Sequence, residues 1–172
     1  GVNLQHISEI QFSRNLLLST EINARAYDNF ESTVSGPGSV MEHVRTDLVE
    51  YLKEDDIVIS RMQLDYIWSP RKDTYAKLSG GIYETMFAGY GIETLYKPFD
   101  KNYSLGFEIF HVKQRSFDQR FSFKDYSTVT GHLNFGYSLP LGIESNISFG
   151  RYLAKDDGFT FDLGRRTRSG FK

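Results

Sequence analysis

Read at period two, the stretch from Gly131 to Leu139 puts Gly131, Leu133, Phe135, Tyr137 and Leu139 on one side of an extended chain, and His132, Asn134, Gly136 and Ser138 on the other. Successive side chains of a strand point to opposite faces, so this run predicts a two-faced β-strand. The rule resumes after Pro140, Leu141 and Gly142, sending Ile143, Ile147 and Phe149 one way and Glu144, Asn146, Ser148 and Gly150 the other. Two such runs across a short Pro/Gly-bearing turn predict a hairpin.

The same alternation recurs upstream. Tyr103, Leu105, Phe107 and Ile109 alternate with Ser104, Gly106 and Glu108 in a strand that runs on toward Arg115, with Ile92 to Tyr96 as its expected partner across the turn "KPFDKN". Ile57 to Trp68 forms a further candidate, with Val58, Met62, Leu64, Tyr66 and Trp68 expected on one face beside Ser60, and "SPRKD" as its end. Leu4 to Ser13 and Leu16 to Tyr27 add two more strands. A flexible loop is expected over 32–40, where the chain reads "STVSGPGS", and one short helix over 41–53, where Val44, Leu48, Tyr51 and Leu52 recur at helical spacing. A helical turn is expected at Tyr83 to Ala88, between glycines.

Composition narrows the classes. The 172 residues suffice for a single domain with a sizeable core. Net charge is −2 and the pI is near 6.1, so no basic field exists to hold a phosphate backbone, and nucleic acid is not expected as a partner. The absence of Cys excludes disulfides, thiolate metal sites and Cys nucleophiles. No run approaches the roughly 18 apolar residues of a membrane-spanning helix, which excludes a helical membrane protein. Fourteen Phe and eleven Tyr coexist with a mean hydropathy of −0.41, so the apolar weight lies in aromatic β-formers. That pattern suits a membrane β-barrel and also a soluble β-sandwich. With Gly1 at its start and Lys172 just after a turn-like Arg-Ser-Gly, the chain reads as a piece of something longer.

Motifs for chemistry are sparse. The His residues at 6, 43, 111 and 132 form no HExxH or i, i+4 pair, so neither metal nor cofactor is expected. GxSxG, GxGxxG and GxxxxGK[ST] are absent. Glu84, Glu93, Glu108, Asp125 and Glu144 could share one interior and supply a carboxylate pair for glycoside hydrolysis, yet any polar-lined barrel would carry such residues. In "GRYLAKDDGFTFDLGRR" the adjacent Asp156 and Asp157 lack the evenly stepped oxygen ligands of a Ca²⁺ loop. A hairpin turn is expected there, with Gly158 supplying the positive φ.

Several of these stretches occur together in one order: Arg45 and Asp47 in the expected helix, "YETMFAGYGIETLYKPFD", Gln114 and Arg115, "DYSTVTGHLNFGY", and the Gly-Arg-Tyr-Leu-Ala run from Gly150. On these motifs, over roughly Val44 to Gly170, the chain resembles the YjbH family of exopolysaccharide and capsule biosynthesis proteins of the Gram-negative outer membrane. Lys155 departs from the pattern, where a small residue is expected before the Asp. The resemblance implies a mostly β fold, an antiparallel meander of an outer-membrane β-barrel that is partial or closed with other segments of a longer chain. It implies a non-enzymatic role in export or assembly of an extracellular or capsular polysaccharide. The implied partners are that polysaccharide, outer-membrane lipid, the remaining segments of the same chain and other export components. Glu84, Arg115, His132 and Arg151 are then expected as polar lumen or bracing residues, with an Arg reaching a carboxylate such as that of Glu84. The competing reading is a periplasmic or surface β-domain that hydrolyses or modifies the polysaccharide. In a barrel the apolar face of each strand looks outward, and in a soluble fold it looks into a core.

Overall fold

A computed structural model describes residues 2–27, 47–53 and 57–165. The loop expected at 32–40, the first part of the expected helix (41–46, with Val44 and Arg45) and His43 lie outside the described residues. Nine strands hydrogen-bond to one another in chain order: β1 Val2–Gln11, β2 Leu16–Tyr27, β3 Ile57–Arg71, β4 Thr74–Ile82, β5 Phe87–Tyr96, β6 Tyr103–Arg115, β7 Phe123–Leu139, β8 Ile143–Arg151 and β9 Asp157–Arg165. The fold is mostly β, an antiparallel meander, with one α-helix among the described residues, α1 Leu48–Lys53. Among the described residues no helix is long and apolar enough to cross a membrane.

The chain groups into two compact units, one of Gly1–Tyr66, Ser79–Tyr90 and His111–Thr128, the other of Ile67–Leu78, Gly91–Phe110 and Val129–Lys172. In the second unit the alternation is carried through unchanged. Leu133 pairs with Phe149 and Phe149 with Phe159, while the next row holds Phe135, Ile147 and Phe161. All six are exposed, Leu133 and Phe149 at 60% and Phe159 at 78%. The opposite face carries His132, Gly150 and Gly158 in one row, Asn134, Ser148 and Thr160 in the next, then Gly136, Asn146 and Asp162. Apolar side chains therefore face outward and small or polar ones line the other side.

The first unit repeats this distribution around a filled interior. Gln63, Asp65, Ser79, Gln114, Arg115, Gln119 and Thr128 are buried beside Tyr51, Ile82, Met86, Phe87, Ala88 and Val112, while Leu64, Tyr66, Tyr90 and Phe123 are exposed. The buried polar groups are tied together: the Gln63 amide donates to Asp65 Oδ1 at 2.7 Å, and Arg61 donates to Gln63 Oε1 at 2.8 Å. Such pairing is what makes burial of polar groups tolerable.

Four local expectations are corrected. Val58 and Leu64 do not share a face: Val58 is buried and Leu64 exposed. The cause is a bulge at Ser60, where Glu21 pairs with Arg61 but Ile22 pairs with Ile59, so one extra residue shifts the phase of the pleat. "SPRKD" does not end β3 at its Ser. The strand runs through Arg71, and the reversal is made by Lys72 and Asp73, with Asp73 at φ 60° and Ser69 Oγ donating to the carbonyls of Arg71 and Thr74. Tyr83 to Ala88 is not a helical turn. The Tyr83 and Glu84 amides both donate to the Phe87 carbonyl at 3.1 and 3.2 Å, the opposite sense to a helix, so Tyr83 to Met86 form a tight loop and Phe87 and Ala88 already belong to β5. The Lys-Asp-Asp-Gly hairpin exists, but Gly158 lies within β9 and Lys155 takes the positive φ of 65°. The turn is closed by the Tyr152 amide donating to the Asp156 carbonyl at 2.9 Å.

A side chain held in the left-handed region costs on the order of 1 kcal/mol that glycine avoids. Lys155→Gly is therefore expected to stabilise the β8–β9 hairpin by up to about 1 kcal/mol, read as a higher denaturant midpoint. A lower midpoint would contradict the assigned turn.

Candidate functional site

Two polar constellations stand out, one in each unit. In the first, Arg115 at the end of β6 is wholly buried. Its Nη1 donates to the main-chain carbonyls of Ile59 (2.8 Å), Thr85 (3.0 Å) and Glu84 (3.3 Å), and its Nη2 to those of Gln119 and, at 3.1 Å, Arg120. The guanidinium thus collects carbonyls from β3, from the β4–β5 loop and from the β6–β7 loop. A planar, permanently charged group with five N–H donors suits this, whereas a Lys ammonium has three. Of the two Arg residues, 115 and 151, expected to reach a carboxylate such as that of Glu84, Arg115 donates to the Glu84 main-chain carbonyl and Arg151 pairs with the carboxylate of Asp157.

Helix α1 is seated on the same residue. The Tyr51 hydroxyl donates to the Arg115 carbonyl, the Gln119 amide donates to the Tyr51 carbonyl at 2.6 Å, and the Tyr51 ring meets Phe117 edge-on at 5.0 Å. Burial pushes the Tyr51 phenol above its ordinary pKa, so it stays protonated as a donor. Asp47, just before the helix, accepts from Gln114 at 3.2 Å and lies 3.5 Å from Lys124, whose ammonium also sits 3.7 Å from the centre of the Phe117 ring.

In the second unit His132 projects from β7 on the polar face. Its Nδ1 lies 2.8 Å from Glu108 Oε1 and its ring meets Tyr152 edge-on at 4.6 Å. Tyr152 in turn shares a 2.5 Å hydrogen bond with Thr160. Gly150 makes this packing possible, since a Cβ there would fall 1.9 Å from the Gly131 carbonyl oxygen and 2.8 Å from the imidazole Cδ2. His132 Nε2 is buried without a hydrogen-bond partner. Arg151 pairs with Asp157 through Nε to Oδ1 at 3.0 Å and Nη2 to Oδ2 at 3.2 Å, a forked bridge across the β8–β9 ladder. Both partners are exposed, so its contribution to stability is small.

The four residues singled out in sequence are therefore divided: Glu84 and Arg115 in the first unit, His132 and Arg151 in the second. Of the carboxylates considered for hydrolysis, Glu93 is held by Lys77 at 2.6 Å and Glu108 by His132. Among the described residues no group of three His, Cys, Asp or Glu could hold a metal ion. Sequence reasoning missed Tyr51, Gln119, Glu108, Tyr152 and Asp157 as partners. The last alone carried a local signal, since Arg151 and Asp157 flank the hairpin turn symmetrically.

A family model described as "Exopolysaccharide biosynthesis protein YbjH" matches residues 1–172. The chain belongs to the YjbH family. It is 36% identical over 152 residues to the uncharacterized lipoprotein YjbH of Escherichia coli (strain K12), an alignment that covers 86% of this chain and 22% of the relative. The chain thus spans about a fifth of that YjbH protein's length. No solved structure matches it. The YjbH resemblance read from the motifs is confirmed.

Removing the guanidinium would strand several buried carbonyls at once, each worth about 1–3 kcal/mol when left unpaired. Arg115→Met is expected to lower stability by at least about 3 kcal/mol, and Tyr51→Phe by about 1 kcal/mol. Denaturant unfolding followed by heat-modifiable gel mobility measures both. An Arg115→Met protein as stable as the parent would overturn the role given to this residue.

Proposed function

We propose that this chain forms part of a β-barrel protein of the Gram-negative outer membrane that assists export or assembly of an exopolysaccharide or capsular polysaccharide without making or breaking bonds itself. The observation that carries the proposal is the outward apolar face of β6 to β9. Leu133, Phe135, Ile147, Phe149, Phe159 and Phe161 are exposed while Asn134, Asn146, Ser148 and Thr160 line the reverse. In water, a continuous apolar face of this extent would be a liability; against acyl chains it is the stable arrangement. Strands of 9 to 17 residues in β6 to β9 are long enough to cross a bilayer when tilted.

Within this reading the chain's partners follow from its surfaces. Lipid covers the aromatic and aliphatic rows. The polysaccharide meets the polar face. β1 and β9, which end the hydrogen-bonded order, pair with other segments of the longer protein, because unpaired backbone groups are prohibitive in hydrocarbon. Further export components complete the pathway. The relative's description as a lipoprotein supports membrane association, and the family's description supports exopolysaccharide as the substrate class.

Adjacent residues on opposite faces provide the test. Phe149→Arg, on the lipid face, is expected to reduce assembly into the outer membrane by the equivalent of about 2–4 kcal/mol, whereas Ser148→Arg stays hydrated and is tolerated. Membrane fractionation and gel mobility of the full-length protein read this out. Equal tolerance of both substitutions, or recovery of the parent protein only in soluble fractions, would contradict the membrane reading.

A further inference from the structure

On the polar face of the second unit, beside the β5–β6 and β7–β8 turns, lies a cleft of about 470 Å³. That volume falls within the roughly 300–1,000 Å³ of small-molecule sites. Its floor is built by register. Gly136, Asn146 and Asp162 stand side by side on β7, β8 and β9, and the Ser104 hydroxyl of β6 lies 2.5 Å from where a Gly136 Cβ would be. The next row holds Ser138, Glu144 and Gly164, and nothing lies within 4 Å of a Cβ placed on Gly164. Missing side chains at 136 and 164 leave room above a floor that presents a hydroxyl, an amide and a carboxylate.

We infer that this cleft is a glycan subsite that takes a short segment of the polysaccharide, an inference that rests on the export reading above. An amide offers both donors and an acceptor, a hydroxyl offers both, and a carboxylate accepts through two oxygens. Neighbouring sugar hydroxyls need this mixed array, because each is a donor and an acceptor at once. An apolar ligand would leave Ser104, Asn146 and Asp162 desolvated without compensation. Lys97, Lys101 and Arg165 among the lining residues face Glu144 and Asp162, and Lys101 also lies 3.5 Å from Asp100, so the cleft has no strong net field and suits a neutral or weakly acidic sugar. Arg165 Nε donates to the Leu141 carbonyl at 3.3 Å, which holds that side chain toward the β7–β8 turn.

The test uses the detergent-solubilised full-length protein, with a partial acid hydrolysate of exopolysaccharide recovered from cells that carry the protein as the probe. Binding is followed by saturation-transfer NMR. The parent protein is expected to bind, and Gly164→Trp, which fills the open space above the floor, to weaken binding at least about tenfold, or 1.4 kcal/mol. Asp162→Asn, which keeps the shape of the floor, is expected to weaken it by a smaller factor with gel mobility unchanged. No binding by the parent, or binding untouched by both substitutions, would overturn the subsite. A protein that is membrane-embedded yet insensitive to Gly164→Trp refutes the cleft alone, and a soluble protein that loses binding on that substitution refutes the membrane reading alone.

Discussion

The constraint on which everything else depends is the pleat itself. With a side-chain period of two, a strand cannot hide its apolar residues without also deciding where its polar ones go. In β7 to β9 the polar row of Asn134, Ser148 and Thr160 takes one side, with Asn134 and Ser148 half-buried, and the Leu, Ile and Phe rows are left exposed on the other. A one-residue slip anywhere would move a whole apolar row to the polar face. The uncovered apolar face is thus a property of the entire register, and its stability depends on the medium outside.

Arg115 plays the corresponding part inside the first unit. A buried charge without compensation is costly, and here carbonyl dipoles supply that compensation from three separate stretches of chain. Because each stretch is a loop or strand that would otherwise leave a carbonyl unpaired, the cost of burying one guanidinium is shared with the satisfaction of five acceptors. Helix α1 then rests on the result through Tyr51 and Gln119. Gln114 and Arg115 sit at the end of a long strand, β6, where its last residues meet the loops around them.

How much of this was legible in the sequence depended on whether the signal was periodic. β7 and β8 read almost residue for residue from Gly131 to Gly150, because both faces are pure and the turn between them carries Pro140 and Gly142. β4 was invisible. Its buried residues Ala76, Ser79 and Ile82 recur every third position, and Gly80 and Gly81 interrupt it. Ser60 shows a second limit, since a bulge flips the phase of β3 without changing its composition. Lys155 shows a third, where the left-handed residue of the turn is not the glycine beside it. For the site, Arg115 was marked by its motif, but its acceptors are main-chain carbonyls, which no side-chain pattern encodes.

The central claim is that the apolar rows meet lipid and the polar rows water, and single cysteines along β8 test it most directly. The chain carries no Cys of its own. In the full-length protein, with any other cysteine removed, positions 146, 147, 148 and 149 are replaced one at a time, and each is labelled with a fluorophore in membranes. The account predicts that Ile147→Cys and Phe149→Cys are quenched by a lipid-borne quencher, and that Asn146→Cys and Ser148→Cys react with a water-soluble thiol reagent instead. Uniform behaviour at all four positions, or the reverse alternation, would contradict it.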